Sequence, residues 1–204
     1  MNSNLIIIAI TCVVSFLAFS NVRLIQALIL SPPAISRGGQ YYRLVSYGLI
    51  HADPTHLLFN MITLYFFGRT MDGVYTEYLG PFGFAAFYVG GLVVSILPTY
   101  LANRDNPAYR SLGASGAVSA VLFAYILIQP WSTILIYFLP MPAILYAVAY
   151  VCYSIYMDRR AADKVNHSAH LWGAAYGVAF TVLMEPRLIS HFLDSLAHPQ
   201  WGGR

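Results

Sequence analysis

Two residues 55 positions apart are the ones in this chain best suited to react together. They are Ser115, within RSLGASGAVSA (110–120), and His170, within NHSAHLWGAAYG (166–177). A serine hydroxyl is a weak nucleophile until a neighbouring base takes its proton, and imidazole titrates near neutrality. Acyl transfer also needs donors for a developing oxyanion. The Ser115 backbone N–H, at a helix start, is one candidate. The side chains of His56 and Asn60 are two more; they lie four apart in HLLFN (56–60), hence on one helix face. Taken singly, each residue also has a blander reading: Ser115 as a packing residue, His170, His56 and Asn60 as interhelical hydrogen-bonding groups. A metal site could instead draw on His51, His56, His167 and His170. No HExxH occurs, however, and no acid lies within a span to complete the ligand set, so no metal is expected. The acids nearest His170 in sequence, Asp158 and Asp163, read as solvated loop residues. A Ser115–His170 dyad is therefore the economical arrangement.

The elements that must carry these residues are set by composition. Of 204 residues, 58% are hydrophobic and 9% charged, with a mean hydropathy of +0.62. Soluble domains carry about 25% charged residues, so this chain cannot dress an aqueous surface and reads as a membrane protein. A net charge of +3, thinly scattered, does not point to a nucleic-acid partner. Cys12 and Cys152 lie in apolar stretches and read as buried thiols. A helical span needs roughly 20 mostly apolar residues. Six candidates are found, at 5–22, 55–71, 82–101, 114–128, 141–157 and 168–184, in a single domain covering 1–204. The first is expected to be a retained span rather than a signal peptide, because nothing basic precedes it. Between spans one and two, residues 31–54 form a long loop rich in aromatics, as at a membrane interface. Asp72, Glu77 and Gly80 mark a turn after span two. Residues 130–140 are a connection at the interface, and the residues after 184 are a polar tail with His191, Asp194 and His198.

Helices that cross in succession alternate direction, so spans two, four and six start at the same face. His56, Asn60, Ser115 and His170 all fall in the first turns of those spans. Shared depth favours the joint reading over the separate bland ones, because polar groups inside a membrane are costly and usually face the protein interior. Only helix–helix contact can join Ser115 to His170. Gly113, Ala114, Gly116, Ala117 and Ala120 thin one flank of span four, and Gly173 and Gly177 form a small-xxx-small stripe on span six. The small residues are packing devices, and the packing positions the serine.

These motifs resemble the rhomboid family of intramembrane serine proteases. The resemblance rests on GASG (113–116), HLLFN (56–60) and AHLWGAAYG (169–177), supported by Tyr42-Arg43, GRTMDGVYTEYLG (68–80) and the spacing of His51 to His56. It implies an all-α polytopic bundle of six transmembrane helices, with a half-embedded loop between helices one and two. Ser115 would be the nucleophile and His170 the general base, with His56, Asn60 and the Ser115 amide lining the oxyanion hole. The implied substrates are transmembrane segments of single-pass or other membrane proteins, cut without any cofactor. The implied location is a bacterial cell membrane, as a multi-pass protein. A catalytically silent, client-binding relative is the alternative, although such proteins usually lack the serine or the histidine. Three features depart from the family pattern. Asp72 stands where Glu is commoner. Ser119, four after the nucleophile, replaces an aromatic that some members stack on the catalytic histidine. The third is charge: in the family orientation the outward loops hold Arg23, Arg37, Arg43, Arg104, Arg110, Arg159, Arg160 and Lys164, leaving Arg69, Arg187 and Arg204 inside, against the positive-inside rule. Span five, with Tyr146, Tyr150, Tyr153 and Tyr156 after Pro140 and Pro142, is the expected mobile wall.

Overall fold

Helix α1 (Ser3–Phe19) starts where the Asn2 side chain accepts the Leu5 amide. In the computed structural model, which describes residues 2–136, 139–160 and 165–199, its side chains are distributed opposite to those of a water-soluble helix. The buried positions are Ser3, Asn4, Thr11, Ser15 and Ala18, while Leu5, Ile6, Ile10, Val13, Phe16 and Leu17 are exposed. Small and polar side chains at the contact let helix backbones approach, and large apolar ones left outside suit a lipid surround. Asn21 caps a separate short helix, α2 (Val22–Leu28), so the first span ends before residue 22.

The segment that follows is not an open loop. It contains α3 (Pro32–Ser36), α4 (Arg43–Ser46) and a 3₁₀ turn at Tyr47–Leu49. Arg43 is buried there, its Nε donating to Gln40 Oε1 and its Nη1 to the Gln26 and Ile29 carbonyls. Helix α5 (Pro54–Leu79) opens on an Asp53 cap with Pro54 in the first turn. It continues past the expected end at residue 71, so Asp72 and Glu77 are helical rather than in a turn. Asp72 is buried and accepts the Asn4 amide at the start of α1, which lets the helix carry a carboxylate inward.

Helix α6 (Gly83–Ala102) is, among the described residues, the one helix both long and apolar enough to cross a membrane by length and composition. Helices α1, α7 (Ser115–Ile128) and α10 (Leu188–Ala197) are apolar but shorter. Helix α7 is the centre of the fold, buried along almost its whole length against α5, α6 and α9 (His167–Met184).

Four expectations are corrected. The chain is mostly rather than wholly helical, because the expected connection at 130–140 includes part of an antiparallel hairpin. Strand β1 (Thr133–Ile136) pairs with β2 (Leu139–Pro142), Thr133 opposite Pro142. Pro140 and Pro142 lack the N–H a helix interior needs but are tolerated on an edge strand, so α8 (Ala143–Arg160) begins two residues after the expected 141. The expected polar tail forms α10, docked by Trp131 Nε1 donating to the Ser195 carbonyl and by His191 Nε2 near the Ile128 carbonyl. Cys12 is half-buried and Cys152 is exposed on α8, so the thiol at 152 is not a core group. Asp163, Lys164 and Arg204 lie outside the described residues.

Candidate active site

Ser115 is the first residue of α7, and the strand of chain leading to it is fixed along its length. Leu30 and Ser111 exchange backbone hydrogen bonds (3.0 and 3.4 Å), and Gly113 N–H donates to the Tyr47 carbonyl (2.9 Å). Gly113 turns the chain at φ +111°, a conformation that disfavours any side chain, and a Cβ there would also meet the His56 ring. The Ala114 N–H donates to His51 Nε2 at 3.4 Å. No side chain caps the start of α7, so its first-turn amides keep their donor character.

His51, on the segment ahead of α5, is 2% exposed. Ser15 Oγ donates to the Leu49 carbonyl and so accepts from His51 Nδ1, both at 2.9 Å. That pattern assigns the proton to Nδ1 and leaves Nε2 as the acceptor for Ala114. Burial, reinforced by repulsion from a charged His56, pushes the His51 pKa from 6.5 down to about 3, against an opposing pull from Asp53. The folded state therefore binds fewer protons here than the unfolded chain. The stability His51 contributes is complete above about pH 6.5 and is lost as pH falls towards 3. Melting measured from pH 7 to 4 is expected to lose about 1 kcal/mol of stability per pH unit through this group. His51→Gln should remove that share of the slope.

Helix α9 brings the histidine. Its N-terminus is capped by Asn166, whose side chain accepts the Ala169 amide. His170 Nε2 stands 2.7 Å from Ser115 Oγ, and both side chains are half-buried, shielded yet reachable. The contact depends on the glycine stripe. A Cβ on Gly173 would overlap the Gly116 carbonyl oxygen, and one on Gly177 the Ala120 carbonyl oxygen. Gly116 is equally tight on its other side, where a Cβ would overlap Ser95 Oγ of α6. All four predicted packing glycines, Gly113, Gly116, Gly173 and Gly177, thus lie at close approaches.

Of the predicted oxyanion donors, the structure brings the His56 ring against Gly113, two residues before Ser115, and 4.9 Å from the His51 ring. Asn60 lies one turn further along α5, 6% exposed, with its Nδ2 donating back to the His56 carbonyl at 3.1 Å. Among the described residues, no three His, Cys, Asp or Glu side chains gather as a ligand set. Asp158 is exposed at the end of α8. What the sequence reading missed is Tyr150 of α8. Its ring stacks on His170 at 6.0 Å between centroids and 24° between planes, and its hydroxyl lies 2.7 Å from that of Ser119. The available signal was the spacing of Tyr146, Tyr150 and Tyr153, which places three tyrosines on one helix face.

A serine oxygen in contact with an imidazole, beside uncapped helix amides and a second imidazole, is a constellation able to run acyl transfer. Comparison with known proteins identifies the family. The Rhomboid domain model matches residues 38–187. The chain is 30% identical over 151 residues to RHOMBOID-like protein 12, mitochondrial, of Arabidopsis thaliana, across 68% of this chain and 45% of that one. It is 26% identical over 145 residues to the rhomboid protein YdcA of Bacillus subtilis strain 168, across 71% and 68%. It is 24% identical over 169 residues to Rhomboid-related protein 1 of Caenorhabditis elegans, across 78% and 44%. The alignments thus span under half the length of the Arabidopsis and Caenorhabditis proteins. The family match covers most of the chain, with His51, His56, Asn60, Ser115 and His170 all inside it, and the chain belongs to the rhomboid family, whose members are membrane proteins.

Proposed function

We propose that this chain is an intramembrane serine endopeptidase that cuts transmembrane segments of other membrane proteins. The reading is carried by one observation: the 2.7 Å contact between Ser115 Oγ and His170 Nε2 at the head of a buried helix. In this reaction His170 Nε2 takes the hydroxyl proton as Ser115 Oγ attacks the scissile carbonyl carbon. The oxyanion forms beside the Ser115 amide and His56. His170 then passes the proton to the departing amine, leaving an acyl-serine that water hydrolyses with His170 again as base. Asn60 completes the donor set once its amide turns from the His56 carbonyl. The domain is a single unit of six membrane-spanning helices, α1, α5, α6, α7, α8 and α9, with residues 31–54 half-embedded beside it. The inverted side-chain distribution of α1 supports this, and α8 repeats it, burying Ala143, Ala147 and Ser154 and exposing Leu145, Val148 and Ile155.

The test is labelling of the purified full chain by a fluorophosphonate, alongside cleavage of a single-pass substrate in proteoliposomes. Labelling that needs both Ser115 and His170, with cleavage, supports the reading. Client capture without labelling or cleavage, unchanged by Ser115→Ala, replaces it with a client-binding function.

The site faces away from the cytoplasm of a bacterial cell. Arg43, counted against that orientation, is consumed by three internal hydrogen bonds and is not a free loop charge. A reporter fused after α10 is expected to read cytoplasmic; a signal from the opposite side reverses the orientation.

A further inference from the structure

Helix α8 is the least embedded of the long helices, burying only Ala143, Ala147 and Ser154, yet it places one ring directly on the base. Tyr150 lies nearly parallel to the His170 imidazole, 6.0 Å away. The same ring is fixed from the other side by α7: its hydroxyl is 2.7 Å from Ser119 Oγ, and its centroid is 5.6 Å from that of Phe123. Tyr146, one turn earlier on α8, packs 5.6 Å away. Ser119 and Phe123 are four apart and so share a face of α7, the helix that begins at Ser115. Tyr150 is therefore seated by the nucleophile's own helix and set alongside the base on α9.

We propose that Tyr150 is a positioning residue that holds the His170 ring in register with Ser115, and that the Ser119 hydroxyl is its anchor. The inference rests on the protease reading for its consequence in turnover, but the seating itself is independent of it. A dyad needs something to fix the plane of its imidazole, a duty that falls to the third member in a triad. An offset, nearly parallel aromatic ring does this by walling one side of the imidazole. Small Ser119 is then no deficit, because it leaves room for a ring delivered by α8. The arrangement also ties the base to the docking of α8: displacing that helix withdraws Tyr150 from His170.

The experiment compares Tyr150→Leu, Tyr150→Phe and Ser119→Ala with the wild-type full chain in detergent. Three readouts are followed: the saturating rate and half-saturating concentration of fluorophosphonate labelling, the melting temperature, and the ring-proton shifts of isotope-labelled histidine assigned to His170. Tyr150→Leu keeps an apolar side chain but loses both the ring beside His170 and the hydroxyl bonded to Ser119. It is expected to cut the saturating rate about tenfold, with half-saturation unchanged, and to move the His170 ring shifts. Tyr150→Phe and Ser119→Ala both remove the anchoring hydrogen bond but keep an aromatic ring. Each should fall between wild type and Tyr150→Leu, and Ser119→Ala should lose more because it strands the Tyr150 hydroxyl. Wild-type rate and shifts in Tyr150→Leu overturn the proposal, as does a loss that only tracks the folded fraction. A wild type that never labels, but whose His170 shifts respond to Tyr150→Leu, overturns the protease reading and supports the seating.

Discussion

Ser115→Ala is expected to reduce substrate cleavage by on the order of 10⁴-fold or more, with little change in melting temperature. The side chain is half-buried and removing one oxygen leaves α7 packed, so the loss falls on chemistry alone. His170→Ala should match it, because a hydroxyl without its base and a base without its hydroxyl are equally idle. For the same reason the double variant should be no worse than either single one; groups that act as a unit are strongly non-additive. His56→Ala offers a graded contrast at about 10²–10³-fold, the usual cost of one oxyanion donor. Cleavage by all four proteins in proteoliposomes checks this ordering. Equal activity in wild type and Ser115→Ala would remove Ser115 from the reaction.

Gly173→Ala is the second large effect, and it adds only a methyl group. That methyl would overlap the Gly116 carbonyl oxygen, which is backbone and cannot swing aside. Helix α7 cannot retreat either, because Gly116 already sits against Ser95 of α6. The helices must part at the point where Ser115 and His170 meet. Overpacking of this kind costs about 1–3 kcal/mol in stability. A displacement near 1 Å between reacting groups costs roughly 10²-fold in rate. Both losses are expected together, read as a lower melting temperature and reduced cleavage in the surviving folded protein. Gly73→Ala on α5 is the control: a Cβ there meets nothing within 4 Å, so activity should be kept and stability held or raised. Wild-type activity in Gly173→Ala would show that the seam is looser than drawn.

Much of the site was legible because its logic is periodic. Counting apolar segments puts His56, Asn60, Ser115 and His170 at the starts of alternate helices. The structure sets Ser115 against His170 and His56 against Gly113, and the four-residue spacing of Gly173 and Gly177 marks the seam between α7 and α9. Interactions across the chain were harder to read. Nothing local in SYGLIHADP announces that His51 will hold the Ala114 amide, or that Ser15 of α1 will fix its tautomer; both depend on how segments from distant parts of the chain stack. The helical extent of α5 was underestimated for a similar reason. Asp72 looks like a turn residue until the start of α1 supplies its partner. Tyr150 was visible as one of a row of tyrosines, but its target was set by the rotation of α8 against α9, which spacing alone does not specify.

The placement of base and nucleophile on different helices has a consequence for biosynthesis. The chain that precedes Ser115 is held by residues 30–51, made before it, whereas the imidazole arrives only with α9, made after α7 and α8. A nascent chain ending after α8 has Ser115, Ser119 and Tyr150, but not the His170 imidazole. Under the proposed protease reading the half-made chain lacks its reactive pair, and docking of α9 is the event that completes it.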